Sequence, residues 1–505
     1  MATDAPPTPE RRVSLWRRAL IGVLVLAVAS FVGLWVTAVG TRTAGRDVLG
    51  SVLAEIDRDD PRWRWEHLEE DRPPMANLDN SVRRAREAVQ AEGRWEQKEL
   101  QTAAGEELLV ARPINLRLDA ERLGVLRKAV AKRHQAVALA LSLKDLPRGR
   151  ATVNLTPDVI GTLLPDAQNP RQVTHLLELD SERLLHEGRG DGVADRVRAS
   201  LHGGAGLRGE GFLISSLVRI AIRVKSAQMA ERALGLGLLS DDSLRRMADH
   251  FAAERTENPL LDGMRGERAG YHVLFENLEA GRISLGDFLV AFEGRRGPVP
   301  EVVMRGAAVL YGPRLYEDHA SMMRWMHRAC KIAALSIHEQ PAEWATYEKE
   351  LRAFVADSRQ SYRNLVTALL LPAVTKVAEA ARRDNAILAC IQAALAAERF
   401  RLANGRWPAK LDELRPTFLR EVPADPYTGK PILLAATEDG VAVYSASKDG
   451  KDDGGRVLTA DGKPGSDYGV RLYNPDRRGL EPLGMPTPDF EPLKMPRVEE
   501  AGDGI

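Results

Sequence analysis

A run of twenty-two residues without a charge, Ala19 to Gly40 (ALIGVLVLAVASFVGLWVTAVG), constrains this chain more than any other feature. At about 1.5 Å per residue a helix of that length reaches about 33 Å, enough to cross a hydrocarbon core of about 30 Å. A cleaved signal peptide has a shorter apolar core, roughly 7–15 residues, and a small-residue cleavage site; the segment matches neither. Trp16 and Trp35 suit interfacial depths. Arg11, Arg12, Arg17 and Arg18 precede the span, and Arg42 and Arg46 follow it. That bias predicts a single-pass anchor with a cytoplasmic N-terminus and the bulk of the chain on the far side of a bacterial inner membrane. The lipid bilayer, met through residues 19–40, is the first expected partner.

The remainder is too long for one core, with 505 residues in all, and 44% apolar content supports globular folding. Basic and acidic residues balance at 71 each, so no global field favours nucleic acid, and none is expected as a partner. Apolar residues at helical spacing dominate from Thr41 onward. The reading is mainly α: a cytoplasmic tail (1–15), a transmembrane anchor (16–42), a helical region (43–150), a multi-helix bundle or short solenoid of helical hairpins (151–383), a small α+β module (384–474) and a loosely packed proline-rich tail (475–505). Within it, DAERLGVLRKAVAKRHQAVALALSL (119–143) reads as one long helix, and Ser240 as an N-cap followed by Asp241 and Asp242. No fixed repeat period is present.

The texture changes near Asp384. Leu388, Ile391, Leu395 and Leu402 form a helix stripe, and Asn404–Gly405 ends it. Two strand-like runs, KPILLAA and VAVYSAS, flank TEDG, a plausible hairpin turn, and YGVRLYN is a third candidate strand. A small sheet on one long helix buries both apolar faces. The order of motifs resembles the C-terminal half of the major pseudopilin of type II secretion systems. The residues that carry the resemblance are Asn404, Gly405, Trp407 and Pro408. They continue as Val422, Pro423, Asp425, Pro426, Gly429 and Pro431, and then Tyr444, Ser445, Asp449, Gly450, Gly454 and Gly455. It covers roughly residues 385–470. The chain departs from the family where its own span lacks the leader junction before a Phe-Thr-Leu-Ile-Glu-like run, so ordinary pseudopilin processing and polymerisation are not expected. The layout of anchor, helical region and such a module also resembles a group of bacterial membrane-anchored proteins, through runs such as LDGMRGERAG and RFRLANGRWPAKLDEL; this implies an architecture rather than an activity.

The resemblance implies calcium in the loop after the second strand, held by Asp449, Asp453 and Asp452, with Asp461 and Asp467 returning in the next turn. Calcium takes six to eight oxygens from carboxylates and carbonyls, and crowded carboxylates repel one another without a cation. Ser447 stands where the family has glycine, and a solvated Asp/Gly turn without metal accounts for the same residues.

Other chemistry is sparse. GAGLRG (204–209) matches a dinucleotide fingerprint formally, but a helix precedes it instead of a strand, so it reads as a flexible interhelical loop. His319 and His327 lie two helical turns apart, too far for ordinary joint metal binding, and His175 with Glu178 is a common helix pair. MMRWMHRAC (322–330) reads as core. Asn154 begins a formal glycosylation acceptor, which the bacterial resemblance leaves unmodified. Cys330 and Cys390 read as buried thiols, a disulfide staying open. No HExxH, Walker or GxSxG pattern occurs. No catalytic residue is therefore assigned and no enzyme is expected. The function expected is that of an envelope structural or interaction protein with an unknown envelope partner, associated through its module with secretion or pilus-like machinery. A ligand- or polymer-binding sensor is the alternative, and a membrane-tethered hydrolase lacks a matched nucleophile, base and orienting group.

Overall fold

The computed structural model describes residues 15–72, 74, 79–92, 113–293, 301–446, 448, 450–457 and 467–480. The first helix, α1 (Leu15–Asp59), is unbroken over 45 residues. It is long and apolar enough to cross a membrane: its most apolar window has a mean hydropathy of 2.4 and is wholly uncovered by the rest of the chain. Beyond the uncharged run its character changes. Gly45, Leu49, Val52 and Ile56 recur at steps of four, three and four, and all are buried. One helix thus has an apolar surface all round in its first half and a single core-facing stripe in its second.

Short helices α2 (Trp65–Asp71) and α3 (Ser81–Glu92) follow, then α4 (Ala120–Lys132) and α5 (His134–Ser142). The expected single helix over 119–143 therefore divides at Arg133 (φ −108°, ψ 20°). The break lets α5 pair with α3 while α4 lies along α6 (Asn169–His186). Helical hairpins continue with α7 (Gly192–Ala205), α8 (Leu213–Leu236), α9 (Asp241–Arg255), α10 (Pro259–Glu279), α11 (Leu285–Glu293), α12 (Glu301–Tyr311), α13 (Leu315–Ala334) and α14 (Gln340–Ala356). Two short helices, α15 (Ser358–Arg363) and α16 (Leu365–Leu370), lead into the long α17 (Val374–Asn404). Ser240 caps α9 by accepting the Ser243 N–H at 3.3 Å.

Two apolar cores result. One gathers α3 to α9, the second half of α17 and one face of the sheet. The other gathers the buried half of α1 with Trp63, α10 to α14, α16 and the first half of α17. Residue 384, where the sequence changes texture, lies inside α17, and that helix is the spine shared by both cores. At this junction Asp384 pairs with Arg223 at 3.2 Å, both side chains 2% exposed. GAGLRG is not a flexible loop. Gly204 and Ala205 close α7, and Gly204 and Gly206 are pressed against Ile222 and Val82 respectively, where a β-carbon would meet them at 3.1 and 2.6 Å. Met322, Met323 and Met326 are fully buried core, as their spacing predicts. Cys330 and Cys390 are buried free thiols in different cores.

After α17, Gly405 takes the left-handed conformation (φ 71°) that ends the helix. Strands β1 (Leu433–Thr437), β2 (Gly440–Ser445) and β3 (Tyr468–Tyr473) form one antiparallel sheet in that order, with Leu433 opposite Tyr444 and Val443 opposite Val470. Alternation decides the faces. Val441, Val443, Val470 and Leu472 join the core under α17, and Ala442 and Tyr444 point to the other side. Leu388, Ile391 and Leu395 of the expected helix stripe are buried, but Leu402 faces solvent. The expected loose tail is docked over its first residues: Gly479 N–H donates to the Asn115 carbonyl at 2.8 Å, and Arg478 Nη2 to Glu398 at 2.9 Å.

Candidate functional site: the acidic loop and a carboxylate–histidine chain

The loop after β2 covers the outer face of the sheet. Gly450, Gly454 and Gly455 all have φ near +70°, which folds the chain back so that Gly455 packs on Tyr444 and Ala442. Of the residues expected to bind calcium, Asp449 lies outside the described residues, as does Asp461. Asp452 Oδ1 accepts from the Tyr444 hydroxyl at 2.9 Å and from Gly454 N–H at 2.8 Å. Asp467 is fully buried, and its Oδ2 accepts from Gly455 N–H at 3.1 Å. Asp467 Oδ1 and Asp453 Oδ2 are buried with no hydrogen-bond partner among the described residues. Burial, reinforced by the charges of Asp453 and Asp452, pushes the Asp467 carboxyl up to about 6. Two orphaned carboxylate oxygens beside one loop are the donor type that a hard cation takes, but among the described residues Asp452, Asp453 and Asp467 do not bring three ligand atoms together.

Asp425, from the motif before β1, has a different role. It is 1% exposed. Its Oδ1 accepts from Tyr427 N–H at 2.8 Å and Ser445 Oγ–H at 2.9 Å, and Oδ2 from Ala446 N–H at 3.0 Å. It ties the segment before the sheet to the exit of β2. Asp425→Ala strands three donors in the interior and is expected to cost about 3 kcal/mol, read from the urea midpoint of the full chain in detergent; a loss below about 1 kcal/mol would show that the tie is dispensable.

The described residues hold a grouping of three ligand atoms within 4.8 Å of one another at Glu55, Asp59 and His327. A cation is already there: Lys331 Nζ lies 2.7 Å from Asp59 and 3.7 Å from Glu55. Hydrogen bonds from Lys331 and His327 hold the Asp59 carboxyl at about 2.

A second polar constellation lies between α10, α13 and the end of α1. On α10, His272, Glu276 and Glu279 occur at i, i+4 and i+7, one helix face. His272 Nδ1 is 2.9 Å from His319 Nε2, and His319 Nδ1 is 2.8 Å from Glu279 Oε1. His272 Nε2 faces Glu276 Oε1 at 3.5 Å. Phe275 stacks on His319 at 4.9 Å, and Trp63 lies 4.8 Å from His272. The result is a hydrogen-bonded chain, His272–His319–Glu279, with Glu276 close to its His272 end. Burial drives both imidazoles down to about 3, the neighbouring His319 adding to the effect at His272. Burial lifts Glu279 to about 7, and raises Glu276 with help from the Glu279 charge. The neutral forms are therefore favoured: with Glu279 protonated, its O–H donates to His319 Nδ1 and the His319 Nε2–H donates to His272 Nδ1.

His319 and His327, expected from their spacing not to act jointly, each have a different partner. His327 Nδ1 accepts from Arg268 Nη1 at 3.0 Å, and its Nε2 meets Asp59 at 3.0 Å. His272 had no local signal, because its partner is 47 residues away. His175 and Glu178 form the expected pair at 3.3 Å, with Lys225 on the same carboxylate. Burial pushes the Cys330 thiol up to about 11, the opposite of what an activated nucleophile needs.

No family model, no curated protein and no solved structure matches the chain. Architecture alone places it: a mainly helical protein with one N-terminal helix long and apolar enough to span a membrane, and a small three-stranded sheet near its other end.

Proposed function

We propose that the protein is a membrane-anchored structural or interaction protein of the bacterial cell envelope. In this reading α1 crosses the inner membrane once, residues 1–15 are cytoplasmic, and the helical body and sheet stand outside the cytoplasm and engage another envelope protein. The continuity of α1 carries the reading: the apolar span passes into the core-facing stripe of Gly45, Leu49, Val52 and Ile56 without a break. A tether needs only a flexible linker, whereas an unbroken helix clamped in a core fixes the attitude of the body to the bilayer. A protein that holds a partner at a set height and angle uses such a joint. The α17–sheet unit is the docking element in this reading, and its likeness to a pseudopilin supports an association with secretion or pilus-like machinery. Asp453 and Asp467, with Asp452 and Asp449, would hold calcium that stiffens the loop over the outer face of the sheet.

Topology is tested with a membrane-impermeant maleimide on intact spheroplasts carrying the full chain. Glu438→Cys, at an exposed turn, is expected to label, and Thr8→Cys to label only after lysis; the reverse pattern, or release of the chain by carbonate, overturns the reading. Calcium is tested on the melting temperature. At a hundredfold excess over Kd a ligand stabilises by about 2.7 kcal/mol, about 2–3 °C if the whole chain unfolds as one unit. Calcium is expected to raise the transition relative to chelator, and Asp467→Asn to abolish the difference. Equal transitions with calcium and chelator remove the metal from the proposal.

A further inference from the structure

We propose that α12 is a membrane-surface helix, its outward face seated in the interface of the same bilayer that α1 crosses; the inference rests on the reading of α1 as a membrane span. Val302, Val309 and Leu310 of α12 are 81, 78 and 74% exposed. At i, i+7 and i+8 they share one helix face with Gly306, while Ala308 and Tyr311, on the opposite side, are buried against the body. A stripe of large apolar side chains on an otherwise well-packed body calls for a non-aqueous neighbour.

The fold says which neighbour. α1 and α13 run side by side in the same direction: Gly45 abuts Tyr316 near the start of α13, and Asp59 meets His327 further along. The turn that immediately precedes Tyr316 therefore lies toward the uncharged end of α1. The Gly312–Arg314 turn, which joins α12 to α13, contacts α1. Ala38 and Thr41, on the α1 face that carries Gly45, are partly covered while most of their neighbours are bare. Gly40 closes the uncharged run, and Gly45 is about 7.5 Å further along the axis, within the depth of a headgroup layer. The residues at this level are interfacial in kind. Arg46 Nη2 donates to the Tyr316 hydroxyl at 2.9 Å, and the Arg42 and Arg46 guanidinium groups lie 5.5 and 4.7 Å from the ring centroid. Arg314, the last residue of the turn before α13, lies 3.5 Å from Glu317. Aromatic and basic side chains at headgroup depth, flanking a helix with one apolar face, are the composition of an element that lies in the membrane plane. Because α1 is rigid into the body, α12 is held at this height in every copy. Anionic headgroups would meet the arginines, and the acyl boundary would meet Val302, Val309 and Leu310.

The test uses the full chain in nanodiscs of phosphatidylethanolamine and phosphatidylglycerol, with an environment-sensitive fluorophore at one introduced cysteine. Leu310→Cys is expected to be quenched by lipids carrying a shallow nitroxide, and to be about threefold less accessible to aqueous iodide than Glu438→Cys. Val28→Cys, inside the span, is expected to respond to deep nitroxides. Val309→Glu with Leu310→Glu should abolish lipid quenching of a probe at Val302→Cys while leaving the circular dichroism spectrum unchanged. If Val28→Cys is quenched by lipid and Leu310→Cys behaves as in water, the anchor stands and this inference falls. If neither responds to lipid, both fall. Shielding of position 310 that grows with protein concentration and not with lipid contact overturns the inference in favour of a second copy on this face.

Discussion

Asp60→Ala is expected to destabilise the full chain in mild detergent by about 3 kcal/mol, measured by urea denaturation, because it strands a buried guanidinium. Asp60 sits just beyond α1, where its N–H donates to the Ile56 carbonyl at 2.8 Å. Its carboxylate accepts from Arg265 at 2.9 and 3.0 Å and from Arg268 Nη2. Arg268 is 1% exposed, lies over Trp63 at 5.4 Å and reaches His327 Nδ1 at 3.0 Å. Without Asp60 that cation has no carboxylate against it in the core that clamps α1. Arg268→Met in the Asp60→Ala background removes the stranded charge at similar volume and is expected to recover part of the loss. A single substitution costing less than about 1 kcal/mol, or a double variant weaker than the sum of both singles, would refute this account of how α1 is locked to the body.

The second large effect is acid lability centred on the His272–His319 pair. Both imidazoles are kept neutral in the fold, chiefly by burial, with folded values of about 3 against 6.5 for a free side chain. A depressed folded value means that the unfolded chain binds the protons first. The stability these groups contribute is complete above about 6.5 and is lost as the pH falls toward about 3. A displacement of that size corresponds to about 5 kcal/mol for each ring; since the two rings share one hydrogen bond and titrate together, the loss for the pair lies between once and twice that figure. Glu279 acts with the opposite sign. Raised to about 7, it favours folding while protonated, and its contribution is lost as the pH rises from about 4.5 through about 7. Two imidazoles outweigh one carboxyl between 4.5 and 6.5, so the chain places its stability maximum near pH 6.5. The groups facing it are Asp57 and Arg64 beside His272, Arg42 and Arg46 beside Glu279, and Glu66 and Arg282 beside Glu276. His319→Gln is expected to flatten the decline between pH 6.5 and 4 whatever it does at neutral pH. A wild-type urea midpoint constant across that range would refute the assignment.

The elements that local pattern encodes are legible in the order of residues. An uncharged run of span length, apolar residues at steps of three and four, a Ser N-cap, an Asn-Gly helix end and a TEDG turn each describe neighbours within a few positions, and each stands where the pattern puts it. The same locality explains the departures. The period continues through Arg133, and the break there exists because α5 pairs with α3 while α4 follows α6. Composition changes at residue 384, yet α17 runs through it because its two halves fill two cores. The acidic loop announces itself by crowding, but the carboxylates with the strongest constraints, Asp425 and Asp467, are set by burial under and beside the sheet.

By itself, the amino-acid sequence determined the secondary structure, the membrane-length helix and the three-stranded unit, because turns, caps and periodicity act over one or two helical turns. Tertiary structure alone decided that His272 meets His319, that Asp60 meets Arg268 across 208 positions, and that α12 leaves Val302, Val309 and Leu310 exposed. Such pairings depend on which helix faces come together, and burial then sets the charge each group carries; neither leaves a mark in the spacing of neighbouring residues.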